Sequence, residues 1–422
     1  MRNLIGCLRE TYIDVWYRAD PRTPPLGSAH PLHVQANNEI RLRAFVDLLE
    51  SESKRRPRTP DARRDAEARV LAAFAEFACP TLGWRRQDLD TLMASGFPRA
   101  MRAFPGLARQ FDPQITAADI YQAARNALTA HCLQSLLGVE VRATPAILGY
   151  SLLYPYTDNY LDDAGLDRAS KLAFSGRLAA RLAGTQGGHD TPREGQIFGL
   201  VGMIESQFSR SRHPRVFESL LAIHRAQEHS LDLLDAAGMP DVLEISVEKG
   251  GASVLADGYL AAGLLTDAQA ECLFGLGVFL QLRDDLEDVT DDEARGLRTV
   301  FSSPAGPRLL DEPTARALAI GSTVLERLDC FESPAADPVR GLMKLSLLLT
   351  ITDAAASVPS RYSAGFLKDL EAHSPIRLAC LAKQRQRLSR AKGSLTGLLE
   401  TWLNEAGPSP FEDSGDTGPA TT

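Results

Sequence analysis

What this 422-residue chain lacks narrows its class before any motif is read. No apolar run reaches the ~18 residues of a membrane-spanning helix, and the N-terminal stretch Leu4 to Leu8 stops at Arg9 and Glu10, too short for a signal peptide. Cysteine is sparse: Cys7, Cys79, Cys132, Cys272, Cys330 and Cys380 show no C-x-x-C spacing, which disfavours zinc ligation and a disulfide framework and predicts reduced thiols in a cytoplasmic protein. Basic residues are outnumbered, and the formal net charge of -8 argues against nucleic acid as a main partner. His131, His189, His224 and His229 form no H-x-x-x-H pair with an intervening glutamate, so no zinc site is readable. G-x-S-x-G and P-loop patterns are missing as well. So are alternating apolar runs joined by Asn-Gly or Asp-Gly, which removes the usual β-hairpin signal.

What is present is helical periodicity. With 44% hydrophobic and 24% charged residues the chain can build a sizeable core, and its apolar spacing is helical nearly throughout, so the fold class is all-α. Thr116 with Asp119 three residues on predicts a helix start, followed by the stripe Ile120, Ala124, Leu128, Cys132 and Leu136 and a stop at Gly138. Thr144-Pro145 opens the next helix, which Pro155 is expected to kink or interrupt before Asp158. Thr266 and Gln269 start a third. The charged, proline-punctuated segment Ser51 to Arg64 reads as a linker between an N-terminal helix pair and the main body, and Thr185 to Pro192 as a surface loop. The division expected is an N-terminal helical extension over 1–112, a main helical domain over 113–405 and a disordered tail over 406–422.

Two acidic clusters carry the chemistry. Asp158 and Asp162 stand at i, i+4, one turn apart on a helix face, with Asp163 beside them. Solvent alone would satisfy an isolated pair of this kind. The second cluster, QLRDDLEDVTDD, places Asp284, Asp288 and Asp292 at i, i+4, i+8, with Asp285 adjacent. It follows Leu273-Phe274-Gly275-Leu276-Gly277-Val278-Phe279-Leu280, which is too apolar for a solvated helix. Carboxylates emerging from a buried helix call for a cation, and magnesium shared with substrate phosphates is the common solution.

Gln281-x-x-Asp284-Asp285-x-x-Asp288 resembles the second aspartate-rich motif of trans-prenyltransferases, members of the class I isoprenoid (terpenoid) synthase superfamily. The resemblance covers roughly residues 115 to 305 and implies an antiparallel helical bundle around a central cavity. It implies three Mg2+ ions held by Asp158, Asp162, Asp163, Asp284, Asp285 and Asp288, with a prenyl diphosphate as substrate. Lys249, in EKGGASVLADGYLAAG, is similar to the lysine of the family's Lys-Thr stretch, although Gly250 replaces the threonine. Gly296, Arg298 and Thr299 resemble the basic loop that closes on the phosphates. The implied diphosphate-binding set is thus Lys249, Arg168, Arg298 and Gln281, and the implied catalytic set Asp158, Asp162, Asp284 and Lys249. The first cluster departs from DDxxD. Its DxxxD spacing is similar to squalene and phytoene synthases, and YLDDAGLDR resembles a stretch of the large bacterial terpene synthases.

Ionising an allylic diphosphate leaves a carbocation, which requires positive charge at the leaving group and a dry cavity at the hydrocarbon. Tyr150 and Tyr154, eight and four residues before Asp158, are candidates for the cavity wall, and plain core is the alternative for each. The reading expected is prenyl transfer or condensation. Cyclisation of a long-chain prenyl diphosphate and a non-catalytic partner of another synthase are the alternatives. Peripheral membrane contact and a homodimer both stay open.

Overall fold

Side-chain caps punctuate the chain. Thr59, Thr116, Asp167, Thr191, Asp241, Thr266 and Ser363 each accept a backbone N–H three residues on, satisfying a donor that a helix start leaves unpaired. At Thr266 the box is reciprocal, Gln269 returning a bond to the Thr266 backbone. The computed structural model describes residues 2–21, 26–55, 59–161, 163, 165–185, 187–230, 233, 241–302 and 308–391. Asp162 and the expected tail over 406–422 lie outside the described residues.

No strand occurs among the described residues, and the fold is all-α. The helices run in chain order α1 (Arg2–Arg18), α2 (Leu32–Arg55), α3 (Pro60–Leu82), α4 (Arg86–Ala94), α5 (Phe97–Phe111), α6 (Ala117–Leu136), α7 (Pro145–Leu161), α8 (Arg168–Leu182) and α9 (Pro192–Gln207). They continue with α10 (Pro214–Ser230), α11 (Val242–Ala262), α12 (Asp267–Glu287), α13 (Val289–Arg295), α14 (Asp311–Arg327), α15 (Asp337–Ser357), α16 (Ala364–His373) and α17 (Leu378–Arg390).

The centre is the pair α11 and α12, each buried nearly all round. Their close approach has a local cause: a Cβ on Gly277 would lie 2.1 Å from the Gly250 carbonyl oxygen, and one on Gly250 would lie 2.5 Å from Gln281 Cβ. Neighbouring small residues thus let two backbones meet, and Gly250 stands where the resemblance leads one to expect threonine because the threonine has no room. Around this pair pack α1, α6, α7, α10, α14 and α15.

α1 belongs to that same core. Tyr12 is fully buried, donates to the Glu271 carbonyl at 3.0 Å, accepts from Arg327 at 2.8 Å and fills the space a side chain on Gly275 would need.

Three sequence expectations change. Ser51 to Arg64 is no linker to the main body: its described ends belong to α2 and α3, which pack on each other, and buried Glu52 accepts from Arg55 at 2.8 Å and twice from Arg69 at 3.0 Å. Pro155 does not interrupt α7, which continues to Leu161. One missing N–H removes a single bond, and burial of Leu152, Leu153, Tyr156 and Tyr160 holds the helix. On α6, Leu128 is 43% exposed instead of core. Steps of four residues drift by about 40° each around a helix, so the stripe from Ile120 swings out of the core by Leu128, onto the open face that also carries Tyr121 and Arg125.

Candidate functional site

The two acidic clusters meet at one end of the bundle because α7 and α12 both deliver their C-terminal turns there. Tyr150, Tyr154 and Asp158 recur every four residues on α7 and therefore share a face. Tyr154 lies within reach of Asp158 on its own helix, of Asp284 on α12 and of Arg125 on α6. One tyrosine thus lies between the first cluster and the second. Its phenol is pushed up to about 12, chiefly by the surrounding protein and then by the Asp158 charge. At 45% exposure it is accessible to water. Below it, Tyr150 lies near Ser253 of α11 and near buried Asp257, which accepts from Asn126 Nδ2 at 3.1 and 3.3 Å. The wall between α7 and α11 is therefore polar well below the rim.

Consecutive residues on a helix point about 100° apart, and the second motif divides accordingly. Asp284 faces Tyr154 and Arg125, and Arg283 binds it at 2.7 Å. Asp285 turns inward to α11. It accepts from Gln281 Nε2 at 2.7 Å and from Ser246 Oγ at 3.3 Å, with Lys249 and Asp292 nearby. Burial raises Asp285 to about 7, against the pull of Gln281 and Lys249. Asp292 rises to about 6 through burial and the Asp288 charge, and Asp288 is raised by burial and by Glu287 and Asp291. The helical bonds Asp288 N to Asp284 O and Asp292 N to Asp288 O, both 2.9 Å, persist through the α12–α13 junction. The three aspartates nevertheless differ in surroundings, because Asp288 is exposed and Asp292 is buried beside Asp285.

Within the first cluster each residue has its own partner. Asn159 donates to Asp119 of α6 at 2.8 Å, and Tyr160 donates to buried Glu194 of α9 at 2.7 Å. Asp163 is exposed, accepts from Gly165 N at 2.8 Å and faces Arg193 at 3.8 Å, so its described partners lie in its own turn and on α9. Asp158 is the described carboxylate of this cluster placed toward Asp284. Arg168 is exposed at the first turn of α8, and Arg298 is half-buried with its backbone N–H on the Leu233 carbonyl at 3.4 Å. Gln281 and Lys249 sit together beside Asp285.

Arg125 is the residue that sequence reading missed. It lies on α6 outside both motifs, and only its exposed position next to Tyr121 and Leu128 hinted at a role. The reverse side of α12 is anchored by Arg283 with Glu287, Arg385 with Glu287, and Arg385 with Asp353 at 3.6 Å. The KQRQRLSRAK run of α17 is therefore partly a set of helix ties, Arg387 also binding Asp47 at 2.8 Å and Glu50 at 2.9 Å.

Among the described residues no three His, Cys, Asp or Glu side chains come close enough to hold a metal ion by themselves. The carboxylates form an open, all-oxygen rim, not a closed cage. A separate cavity of about 310 Å3 lies among α1, α10 and α11, where Arg9 is already paired with Glu244 at 2.5 Å and Glu248 at 2.9 Å. No helix among the described residues is long and apolar enough to cross a membrane. No protein-family model, curated protein or solved structure matches the chain. The functional reading rests on the geometry of the rim.

Proposed function

We propose that the protein is a magnesium-dependent isoprenoid synthase that ionises a prenyl diphosphate and transfers or condenses the prenyl group. The observation that carries this reading is Tyr154, within reach of both Asp158 and Asp284, because one residue then lies between the two acidic clusters. The donor set suits magnesium. Asp158, Asp284 and Asp288 offer hard oxygen ligands from two helices, the crowding and burial that raise Asp284 and Asp288 would be relieved by a cation, and an open rim leaves coordination positions for phosphate. When bound, the metal supplies Lewis-acid charge to the leaving diphosphate.

The chain's own residues do the rest. Lys249 and Arg125, on either side of the rim, donate to diphosphate oxygens and hold the leaving group in place. Tyr154 orients the Asp158 carboxylate, and the faces of Leu128, Tyr150 and Tyr154 shield the hydrocarbon from water. Gln281 acts one step back, fixing Asp285.

Cyclisation of a long-chain prenyl diphosphate is the second reading, favoured by Asp163, whose partners lie away from the rim. Purified protein incubated with magnesium and each prenyl diphosphate from C10 to C35, with and without isopentenyl diphosphate, tests both. Chain elongation supports transfer, and diphosphate release without a second substrate supports cyclisation. No turnover together with no magnesium-dependent diphosphate binding would leave a non-catalytic partner and overturn the proposal.

A further inference from the structure

We infer that the corner of the molecule where α17 meets α2 and α3 docks on an anionic phospholipid bilayer, through exposed basic residues and an amphipathic segment over 394–405. The sequence from Lys54 to Arg64 carries six basic residues against one acidic, Asp61, although the whole chain is acidic. Lys54 and Arg55 in the last turn of α2 are exposed, as are Arg64 on α3 and Arg390 in the last turn of α17. Bonds fix these helices beside one another. Arg69 of α3 donates twice to Glu52 of α2 at 3.0 Å, and Arg387 of α17 donates to Asp47 of α2 at 2.8 Å and to Glu50 at 2.9 and 3.1 Å. Those ties neutralise Asp47, Glu50 and Glu52, so the surplus charge at this corner is positive and complements phosphate headgroups.

The segment after α17 starts from the same corner. It lies outside the described residues, and its sequence, SLTGLLETWLNE over 394–405, repeats apolar residues at helical spacing. Leu395, Leu398, Leu399, Trp402 and Leu403 stand at i, i+3, i+4, i+7 and i+8. On a helix they share an arc of roughly 140°, a face that is stable only when covered. A bilayer crossing takes about 20 residues, so a helix of this length lies along a surface. Its polar side carries Glu400 and Glu405 and no basic residue. The attraction to anionic lipid therefore comes from α2, α3 and α17 and the insertion from the segment, and stable surface binding takes two such signals.

Full-length protein is mixed, without substrate, with vesicles of phosphatidylcholine alone or with phosphatidylglycerol added, and sedimented. Binding to the anionic vesicles alone is expected, weakening as salt is raised. Lys54→Glu with Arg390→Glu should weaken it by more than about 10-fold, each basic residue near such a surface contributing roughly fivefold. Trp402→Ser should weaken it as well. Lipid brominated in its acyl chains should quench the tryptophan fluorescence of wild type and leave that of Trp402→Phe largely unquenched. Equal binding to neutral vesicles, binding to neither, or unchanged binding by both folded variants would overturn the inference. So would a dimer that Trp402→Ser makes monomeric without any vesicle binding, which would assign the segment to a second copy of the chain. If Trp402→Ser does not fold, the charge-reversed variant, altered only at exposed positions, decides alone. None of these readouts depends on the proposed isoprenoid chemistry.

Discussion

At the scale of single residues the rim makes unequal demands on its members. Asp158 and Asp284 are the carboxylates that Tyr154 brings into one place, so Asp158→Asn or Asp284→Asn should lower magnesium-dependent diphosphate release by about 100-fold or more, as for loss of one electrostatic element at a reacting centre. Circular dichroism should stay unchanged, which separates a chemical loss from unfolding. Arg125→Ala should weaken magnesium-dependent binding of inorganic diphosphate about 10-fold, the effect of one charge-assisted hydrogen bond. Titration calorimetry reads this directly, and an unchanged affinity would remove Arg125 from the site. Tyr154→Phe keeps the ring and deletes only the hydroxyl that orients Asp158. It should therefore cost less than Asp158→Asn. Asp163→Asn, whose described contacts are Gly165 and Arg193, should leave diphosphate affinity within twofold.

At the scale of helices, what was legible in the sequence was local. The caps at Thr116, Thr144 and Thr266 depend on residues three apart and were readable, and so was the apolar run that buries α12. What was not legible depends on partners distant in sequence. Leu128 and Arg125 turn outward because α6 packs its other sides against α5, α7 and α11, Glu52 is buried because Arg69 of the next helix neutralises it, and Asp163 was grouped with Asp158 by adjacency although its contacts lie elsewhere. Gly250 looked like a defect in a motif until the α11–α12 approach explained it. Restoring the expected residue with Gly250→Thr forces a Cβ to 2.5 Å from Gln281 Cβ and 2.6 Å from the Gly277 carbonyl oxygen. Overpacking of this kind costs about 1–3 kcal/mol. The urea midpoint should fall, and because Gln281 must shift, its bond to Asp285 should weaken too. A midpoint equal to wild type would mean that the two helices separate without penalty.

At the scale of the whole molecule, acidification moves stability in both directions, and His131 contributes a loss that can be separated from the rest. His131 is fully buried, its Nδ1 lies 2.9 Å from Gln134 Oε1, and its Nε2 has no partner. Gln134 Nε2 donates to the Arg142 carbonyl at 3.1 Å, so the amide oxygen is left to accept the imidazole N–H, and the neutral Nδ1–H tautomer follows. A second proton on Nε2 would be a buried, unpaired charge, and burial accordingly lowers this histidine below 6.5. Between its unfolded and folded values the unfolded chain binds the extra proton, so this contribution is present above 6.5 and is lost as pH falls toward the folded value, by about 1.4 kcal/mol per pH unit. Glu39 and Glu52, lowered from 4.5 by Arg377 and Arg69, add a second loss only as pH falls below 4.5 through their folded values. Asp257, Asp285 at about 7 and Asp292 at about 6 work in the opposite direction: raised chiefly by burial, each stabilises the fold most below 3.8 and loses that contribution as pH rises. The His131 contribution is therefore read as a difference: the urea midpoint of His131→Gln relative to wild type should rise as pH falls below about 6.5, while the loss below 4.5 stays in both proteins. A difference between the two proteins that does not change from pH 6.5 to pH 5 would show that the His131 pocket admits water.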